Sequence, residues 1–328
     1  MKGKHKIRLA TPRETYDFTI NRKVTIIRGD SGTGKSMLCK AVKMSGRTGF
    51  ILDCDVECNS ADDSRYWKEI IKNSSGTIWF IDEDFIYLET KEFARLVRDT
   101  DNYFVIISRK PLAYIPYSYI EIYKIKSNTK RHFNTLERIY DIQYNKSCPD
   151  LIITEDSKSG YEFFRAVAGN NVISAEGNAN ICRIAKTLKD KETLIVADGA
   201  AIGNYIDSIF SLKANNDNIK LFLPESFEYL LLNSDLFSND KELQKILKNP
   251  VNYITTEFLT WEQFFTKLII DLMASIHGRE YSKSKLSLCF IEKCCTNKEI
   301  CGFYHNTPDK FEMVMKNYDM IDFSKIKG

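Results

Sequence analysis

Short apolar runs, separated by segments with helical spacing, dominate the first 127 residues of the chain. The apolar runs are rich in β-branched and aromatic residues and predict strands at residues 6–10, 16–20, 24–27, 50–52, 77–81, 103–107 and 119–125. Helices are predicted between them at residues 36–43, 65–72 and 91–98. Because strands that alternate with helices form a parallel sheet covered by helices, we expect an α/β fold.

A second, smaller α/β unit follows a break in this pattern. Between residues 128 and 149 the periodicity fades into a polar, basic stretch, which predicts a linker between a domain at 1–127 and another at 150–235. Strands are then predicted at 151–154, 172–173, 194–197 and 220–223, and helices at 161–167, 180–188 and 205–212. Residues 236–328 are expected to form a mainly helical, cysteine-containing region. Its clearest amphipathic run, 261–276, is expected to pack in the core or against another copy of the chain.

Composition and charge narrow the class of protein. The chain has 328 residues, 43% hydrophobic and 28% charged, as in globular proteins with more than one core. Its net charge of +3 does not by itself predict a nucleic-acid surface. The basic start lacks the apolar segment of a signal peptide, and no apolar run reaches membrane-spanning length. Because nine cysteines, an odd number, favour free thiols in a reducing compartment, we expect a cytoplasmic protein that does not enter a membrane.

A glycine-rich segment lies between the third predicted strand and the first predicted helix. It fits G-x-x-x-x-G-K-[ST] without a mismatch and comprises Gly29, Asp30, Ser31, Gly32, Thr33, Gly34, Lys35 and Ser36. Glycines let the backbone N–H groups of such a loop turn toward phosphate oxygens, and the next helix directs its positive end at the same anion. Lys35 would neutralise the β- and γ-phosphates, and the Ser36 hydroxyl would bind magnesium. The segment therefore predicts a P-loop that binds ATP or another nucleoside triphosphate with Mg²⁺.

Two acids end the apolar strand predicted at 77–81, and this pattern resembles a Walker B element. The carboxyl end of a buried parallel strand is where open α/β sheets bind ligands. Asp82 is expected to hold magnesium through water, and Glu83 to polarise the attacking water as a general base, with Asp84 as a substitute. ATPases of the additional-strand type use this arrangement. A small-molecule kinase must avoid activating water, so the pair of acids argues against that function.

Ser108 and Arg109 end the strand predicted at 103–107, in the position of a sensor strand at the same sheet edge. Either Ser108 reads the γ-phosphate or Arg109 stabilises charge in the transition state. Arg109 could equally pair with an acid on a neighbouring loop, and a purely structural role for both residues stays open.

The second unit resembles a Toprim domain over residues 150–235. The resemblance rests on Glu155 at the end of the first strand and on Asp198 after a later one, where the family has a D-x-D motif. It implies that Glu155 and Asp198 bind a divalent metal for cleaving or joining nucleic acid strands. The second acid of D-x-D is Ala200 here, so the site is incomplete unless another acid replaces it. The candidates are Asp156, Glu225 and Glu228.

A P-loop ATPase fused to a Toprim domain is similar to the overcoming-lysogenisation-defect (OLD) family of ATPase-nucleases. This resemblance implies an ATPase whose nucleotide cycle controls an output domain that acts on DNA or RNA, in defence or genome maintenance. The missing acid at Ala200 leaves an alternative, a nucleotide-dependent switch in which an inactive Toprim-like domain binds a protein partner.

Two weaker patterns complete the candidates. Soft ligands near the C-terminus could form a tetrahedral zinc site from Cys294, Cys295, Cys301 and His305. Their irregular spacing, without a C-x-x-C pair, favours buried free thiols instead. Between residues 117 and 133, aromatic and basic residues interleave, which is typical of single-stranded nucleic-acid binders and also of an ordinary strand.

Overall fold

The computed structural model describes residues 1–30, 32, 34–142, 149–188, 190–233, 237, 239–274, 280–287 and 290. The chain forms two compact units. Unit 1 comprises Met1–Asp141 and Pro250–Thr260, and unit 2 comprises Ile142–Asn249 and Trp261–Gly328. Each unit combines helices with a sheet, so the α/β class predicted from the hydrophobic pattern is confirmed.

Unit 1 is built on a nine-stranded sheet. Its strands are β1 (His5–Ala10), β2 (Thr15–Ile20), β3 (Val24–Arg28), β4 (Ile51–Asp53), β5 (Cys58–Ser60), β6 (Ile78–Ile81), β7 (Tyr103–Ile107), β8 (Ile122–Asn128) and β9 (Phe133–Arg138). They follow the order β4-β1-β2-β9-β8-β3-β7-β6-β5. The helices in the connections are α1 (Lys35–Lys43), α2 (Trp67–Lys72) and α3 (Lys91–Asp99).

The strands from β8 to β5 in this order are parallel, as the alternation with helices predicts. Every residue of β3, β6 and β7 is buried. A strand covered on both faces has no solvent side, which explains why these three sequences are mainly apolar and do not alternate with exposed polar residues. Helix α3 begins after Thr90, whose Oγ1 accepts a hydrogen bond from Phe93 N at 3.1 Å.

The other side of the sheet contains two hairpins, whose antiparallel pairing departs from the parallel sheet that the hydrophobic pattern predicts. β1 pairs antiparallel with β2 across residues 11–14, and β8 with β9 across residues 129–132. Four residues cannot form the crossover that parallel neighbours need, so each pair reverses direction. β9 lies in the stretch 128–149, where the sequence predicts a linker. The strand was not predicted because its buried position is the polar Asn134, which gives no apolar period.

The sheet curls. β4 and β5 stand at opposite ends of the strand order, although only residues 54–57 join them. Such a short segment spans at most about 18 Å, so the two edges must approach each other. The hydrophobic core of the curl accordingly draws on both sides of the sheet and on α1, with Ile7, Phe18, Ile27, Leu38 and Phe80 among its members.

Residues 250–260 also belong to unit 1, although they fall in the region 236–328 that is predicted to be mainly helical. Thr255 forms a β-bridge with Lys2. The buried Lys23 side chain donates from Nζ to the Thr256 carbonyl at 2.7 Å. These contacts are polar and isolated, so no hydrophobic period in the sequence marks them.

Unit 2 contains a four-stranded, fully parallel sheet. Its strands are β10 (Leu151–Thr154), β11 (Val172–Ser174), β12 (Thr193–Val196) and β13 (Ile219–Phe222), in the order β11-β10-β12-β13. The helices are α4 (Ser159–Ala168), α5 (Asn178–Ala185), α6 (Ile206–Ala214), α7 (Phe227–Leu232), α8 (Lys241–Lys248) and α9 (Trp261–Met273). The alternation of strands and helices predicted for this region is confirmed.

Helix α9 corresponds to the amphipathic run predicted at 261–276. Phe265, Ile269 and Met273 are fully buried at helical spacing. The rings of Phe265 and Tyr229 lie 4.7 Å apart between centroids, so α9 packs on α7 in the core of unit 2.

Candidate functional site

The loop between β3 and α1 has the backbone that its glycines allow. Gly29, Gly32 and Gly34 have φ values of 138°, 82° and 84°, in the region that favours glycine. A Cβ on Gly34 would lie 2.8 Å from the Tyr16 hydroxyl, so this position is also closed to a side chain sterically. Residues 29–36 are called the glycine loop below. Two of its predicted members, Ser31 and Thr33, lie outside the described residues.

Lys35 is the first residue of α1 and its side chain lies in the glycine loop, with 4% of the residue exposed. Its Nζ donates to the Gly29 carbonyl at 2.6 Å and to the Asp30 carbonyl at 2.5 Å. The glycine loop leads directly into α1, so the N-terminal N–H groups of the helix lie at this loop. The residue before the helix is Gly34, which has no side chain to cap these groups. An ammonium group and the positive end of a helix therefore converge on one place, which suits a polyphosphate.

A partly buried hydrogen-bond network holds the end of this loop, and the sequence did not predict it. Tyr16 Oη lies 3.1 Å from the Gly34 carbonyl and donates to Glu14 Oε1 at 2.8 Å. Glu14 Oε2 in turn accepts from Asn134 Nδ2 at 2.7 Å. Burial and the Glu14 carboxylate raise the pKa of Tyr16. The hydroxyl therefore stays protonated, and the only signal in the sequence is the alternation that turns Tyr16 inward on β2.

Asp82 follows β6 and reaches the start of α1. Its Oδ1 lies 3.4 Å from Ser36 Oγ and accepts the Glu83 N–H at 2.7 Å. Burial raises the pKa of Asp82, and the nearby Asp84 and Glu83 carboxylates add to this effect. A serine hydroxyl and a carboxylate side by side are the hard oxygen ligands that Mg²⁺ prefers, so Ser36 and Asp82 fit that ion.

Glu83 forms an ion pair with Arg109 from the end of β7. Arg109 Nη2 donates to Glu83 Oε1 at 2.6 Å, with the Arg109 side chain 54% exposed and that of Glu83 17% exposed. The hydrogen bond to Glu83 raises the pKa of Arg109. Of the alternatives open for Arg109, pairing with a neighbouring acid is the one observed. Ser108 is engaged in a turn, where its Oγ donates to the Lys110 carbonyl at 2.7 Å, and its role as a phosphate sensor stays a prediction.

In unit 2, five acids and one lysine line a cavity of about 100 Å³. One of the acids, Asp156, caps a helix, and we call the other five side chains, Glu155, Asp198, Glu228, Glu262 and Lys283, the carboxylate pocket. Glu155 and Asp198 come together because β10 and β12 are parallel neighbours that end at the same edge. Glu228 comes from α7, Glu262 from α9 and Lys283 from the segment after it. Sequence patterns alone did not indicate Glu262 and Lys283, since neither belongs to a strand end.

Most carboxylate oxygens in this pocket already accept hydrogen bonds. Glu155 accepts from Asn178 Nδ2 at 2.6 Å and from Asp198 N at 3.1 Å. Asp198 Oδ1 accepts from Phe227 N at 2.8 Å, and the fully buried Glu228 accepts at Oε1 from a tyrosine hydroxyl, that of Tyr281, at 2.9 Å. Glu228 Oε2 is buried and has no hydrogen-bond partner within the described part of the chain.

The candidates to replace the missing acid at Ala200 differ in position. Asp156 accepts from the backbone N–H groups of Lys158, Gly160 and Tyr161 at 3.0–3.2 Å and so caps the start of α4. Ala200 itself is buried. Both Asp156 and Glu228 line the cavity. Over the described residues, no group of three or more His, Cys, Asp or Glu side chains is placed to hold a metal ion. The zinc candidates Cys294, Cys295, Cys301 and His305 lie outside those residues.

The pKa of Glu155 predicts a pH-dependent stability. Burial raises it from 4.5 to about 7, with further contributions from Glu262 and Asp156. The folded state thus holds this proton more tightly than the unfolded state. The stabilisation of the folded state by this proton is complete below about pH 4.5 and is lost as the pH rises through about 7.

We therefore expect Glu155→Gln, which is neutral at every pH, to raise the free energy of unfolding at pH 8 by about 1–2 kcal/mol and to change it little at pH 4. Asn178 Oδ1, which has no hydrogen-bond partner among the described residues, can accept from the new amide after rotation. Urea unfolding at pH 4, 6 and 8 measures the effect, with Glu242→Gln on exposed α8 as the control. An equal change at all three pH values would contradict the raised pKa.

Comparisons with known proteins add no family. A scan against protein-family models and a search of curated proteins both find no match to this chain. Among the helices that the structure describes, none is both long enough and apolar enough to cross a membrane. The functional conclusion therefore depends on the chemistry of the two sites.

Proposed function

We propose that unit 1 binds a nucleoside triphosphate with Mg²⁺ in the glycine loop and hydrolyses the γ-phosphate. The observation that carries this proposal is the distance of 3.4 Å between Ser36 Oγ and Asp82 Oδ1. These residues follow β3 and β6, which are not neighbours in the sheet, because β7 lies between them. Their meeting supplies the oxygen pair that a magnesium–nucleotide complex needs, directly beside a loop suited to phosphate.

The strand order supports the assignment to ATPases of the additional-strand type, and with it the resemblance to the OLD family. In those enzymes one further parallel strand separates the P-loop strand from the acidic strand, and β7 has that position between β3 and β6. The arrangement also brings Glu83, after β6, next to Arg109, after β7.

Each residue of the site has a defined task in this proposal. Lys35 exchanges the Gly29 and Asp30 carbonyls for phosphate oxygens and neutralises their charge. Ser36 and Asp82 would hold magnesium, which stabilises negative charge on the phosphates when bound. Glu83 accepts a proton from the attacking water. Arg109 is paired with Glu83 in this structure, so the ion pair must open before Glu83 can accept the proton. Arg109 is then available to stabilise the transition state.

Replacement of the magnesium ligands tests this proposal. We expect Ser36→Ala and Asp82→Asn each to raise the Mg²⁺ concentration needed for half-maximal ATP hydrolysis at least about tenfold, because each removes one oxygen from the ion. A magnesium titration at constant ATP measures this. Ser45→Ala, just beyond α1, is the matched control for a lost hydroxyl. An unchanged magnesium requirement in both variants would contradict the site.

For unit 2 the OLD-like architecture offers two roles, namely cleavage of nucleic acid or binding of a protein partner. The position of the missing acid favours the second role. Ala200 is buried, and its N–H donates to the Glu225 carbonyl at 3.1 Å, so this backbone is fixed in a place where no side chain offers an oxygen. We therefore favour a nucleotide-controlled switch whose Toprim-like unit binds a partner.

A further inference from the structure

We propose that the Lys283 ammonium is the permanent counter-ion of the carboxylate pocket and takes over the charge-balancing role that a divalent cation has in Toprim domains. Unit 2 would then keep its four converging acids without a metal. This inference concerns unit 2 alone and does not depend on the nucleotide site proposed for unit 1.

The first step is the charge in the pocket. Glu155, Asp198, Glu228 and Glu262 line one cavity of about 100 Å³. Carboxylates this close repel one another unless protons or a cation compensate them. Glu155 accepts a hydrogen bond from Asp198 N at 3.1 Å, and Glu228 and Glu262 share Lys283 as a neighbour, so these acids lie close together. The pocket therefore needs a positive charge for those of its acids that are ionised.

Lys283 supplies that charge from within the chain. Its Nζ donates to Glu262 Oε1 and lies 3.8 Å from Glu228 Oε1. The Lys283 side chain is 44% exposed; its partial burial lowers its pKa, but the Glu228, Glu262 and Asp198 carboxylates outweigh this effect and raise the pKa. The ammonium thus stays charged and lies between acids from two different helices, α7 and α9.

The remaining oxygens do not fit a metal ion. Both carboxylate oxygens of Glu155 accept hydrogen bonds from nitrogen donors, and so does Asp198 Oδ1. Ala200 offers no ligand. A magnesium ion in a protein prefers six oxygens in near-octahedral geometry, and the described residues place no group of three acids around one point. Glu228 Oε2 is buried and stays without a hydrogen bond in the described structure, and Glu228 is among the residues that line the small cavity.

The experiment compares Lys283→Met with Lys283→Arg in the full-length chain without nucleotide, both in an Asp82→Asn background that removes the metal ligand proposed in unit 1. Titration calorimetry with Mn²⁺ and thermal unfolding are the two readouts. With Lys283 present, we expect no stoichiometric Mn²⁺ binding. Lys283→Met should unfold about 5 °C lower and bind Mn²⁺ at least tenfold more tightly, since two acids lose their cation. Lys283→Arg should behave like the parent.

Further variants keep the outcome decisive if Lys283→Met is too unstable to purify. Adding Glu262→Gln should restore its unfolding temperature and abolish the gain in Mn²⁺ affinity. Lys245→Met on α8, whose lysine pairs with Glu242 at 2.6 Å on the surface, is the matched control. One Mn²⁺ per chain bound by the Lys283 protein and lost on Glu228→Gln would overturn the proposal. So would a Lys283→Met protein with unchanged stability and Mn²⁺ affinity, or one that Glu262→Gln does not restore.

Discussion

Lys35→Ala is expected to lower the rate of ATP hydrolysis by about 10²- to 10³-fold, because it removes the one ammonium group held in the glycine loop among the described residues. Lys35 is buried in the glycine loop, where its ammonium group donates to the Gly29 and Asp30 carbonyls. A phosphate oxygen is a stronger acceptor than a carbonyl, so the ammonium is positioned for an anion. Phosphate release at saturating Mg²⁺ and ATP measures the loss.

The control for this substitution is Lys40→Ala. Lys40 lies on the same helix α1, is exposed, and loses the same charge when replaced. The Lys40→Ala protein should hydrolyse ATP at a rate within about twofold of the wild-type rate. A Lys35→Ala protein that hydrolyses ATP at the wild-type rate would show that any ATPase activity comes from another site.

Glu83→Gln is expected to reduce hydrolysis by about 10²- to 10⁴-fold while nucleotide binding is retained. The amide keeps the shape of the side chain and can still accept a hydrogen bond from Arg109, but it cannot take a proton from water. Bound ATP should therefore persist through gel filtration in this variant, whereas the wild type should release ADP. Single-turnover hydrolysis with labelled ATP separates the chemical step from binding.

Asp84→Asn is the matched comparison for Glu83→Gln, since Asp84 is the neighbouring acid and is exposed. We expect it to retain most of the wild-type rate. If Asp84→Asn lost hydrolysis and Glu83→Gln did not, the general base would be Asp84, and the ion pair with Arg109 would be a structural contact.

The hydrophobic pattern predicted those parts of the fold in which burial is uniform or alternates regularly. β3, β6 and β7 are buried on both faces, so their sequences are mainly apolar, with Thr25 and Arg28 of β3 as exceptions. β5 and β9 were not predicted, because each is short or polar and depends on a neighbour for its pairing. Strand pairing is a tertiary interaction, and a single strand carries little information about its partner.

The candidate site shows the same division. The glycine loop was predicted because its backbone geometry demands glycine at fixed positions in the sequence. Tyr16, Asn134 and Lys283 were missed because each acts on a residue distant in sequence: Tyr16 on Gly34, Asn134 on Glu14 and Lys283 on Glu228. Such contacts follow from the curl of a sheet or the packing of helices, which residue spacing does not express.

The most direct test of the central proposal is titration calorimetry of the full-length protein with ATP, GTP, ADP and GDP in the presence of Mg²⁺. We expect at least one triphosphate to bind with a stoichiometry of one per chain, and Lys35→Ala to abolish the heat. Absence of any heat with all four nucleotides, from protein that is folded by circular dichroism, would contradict nucleotide binding by the glycine loop.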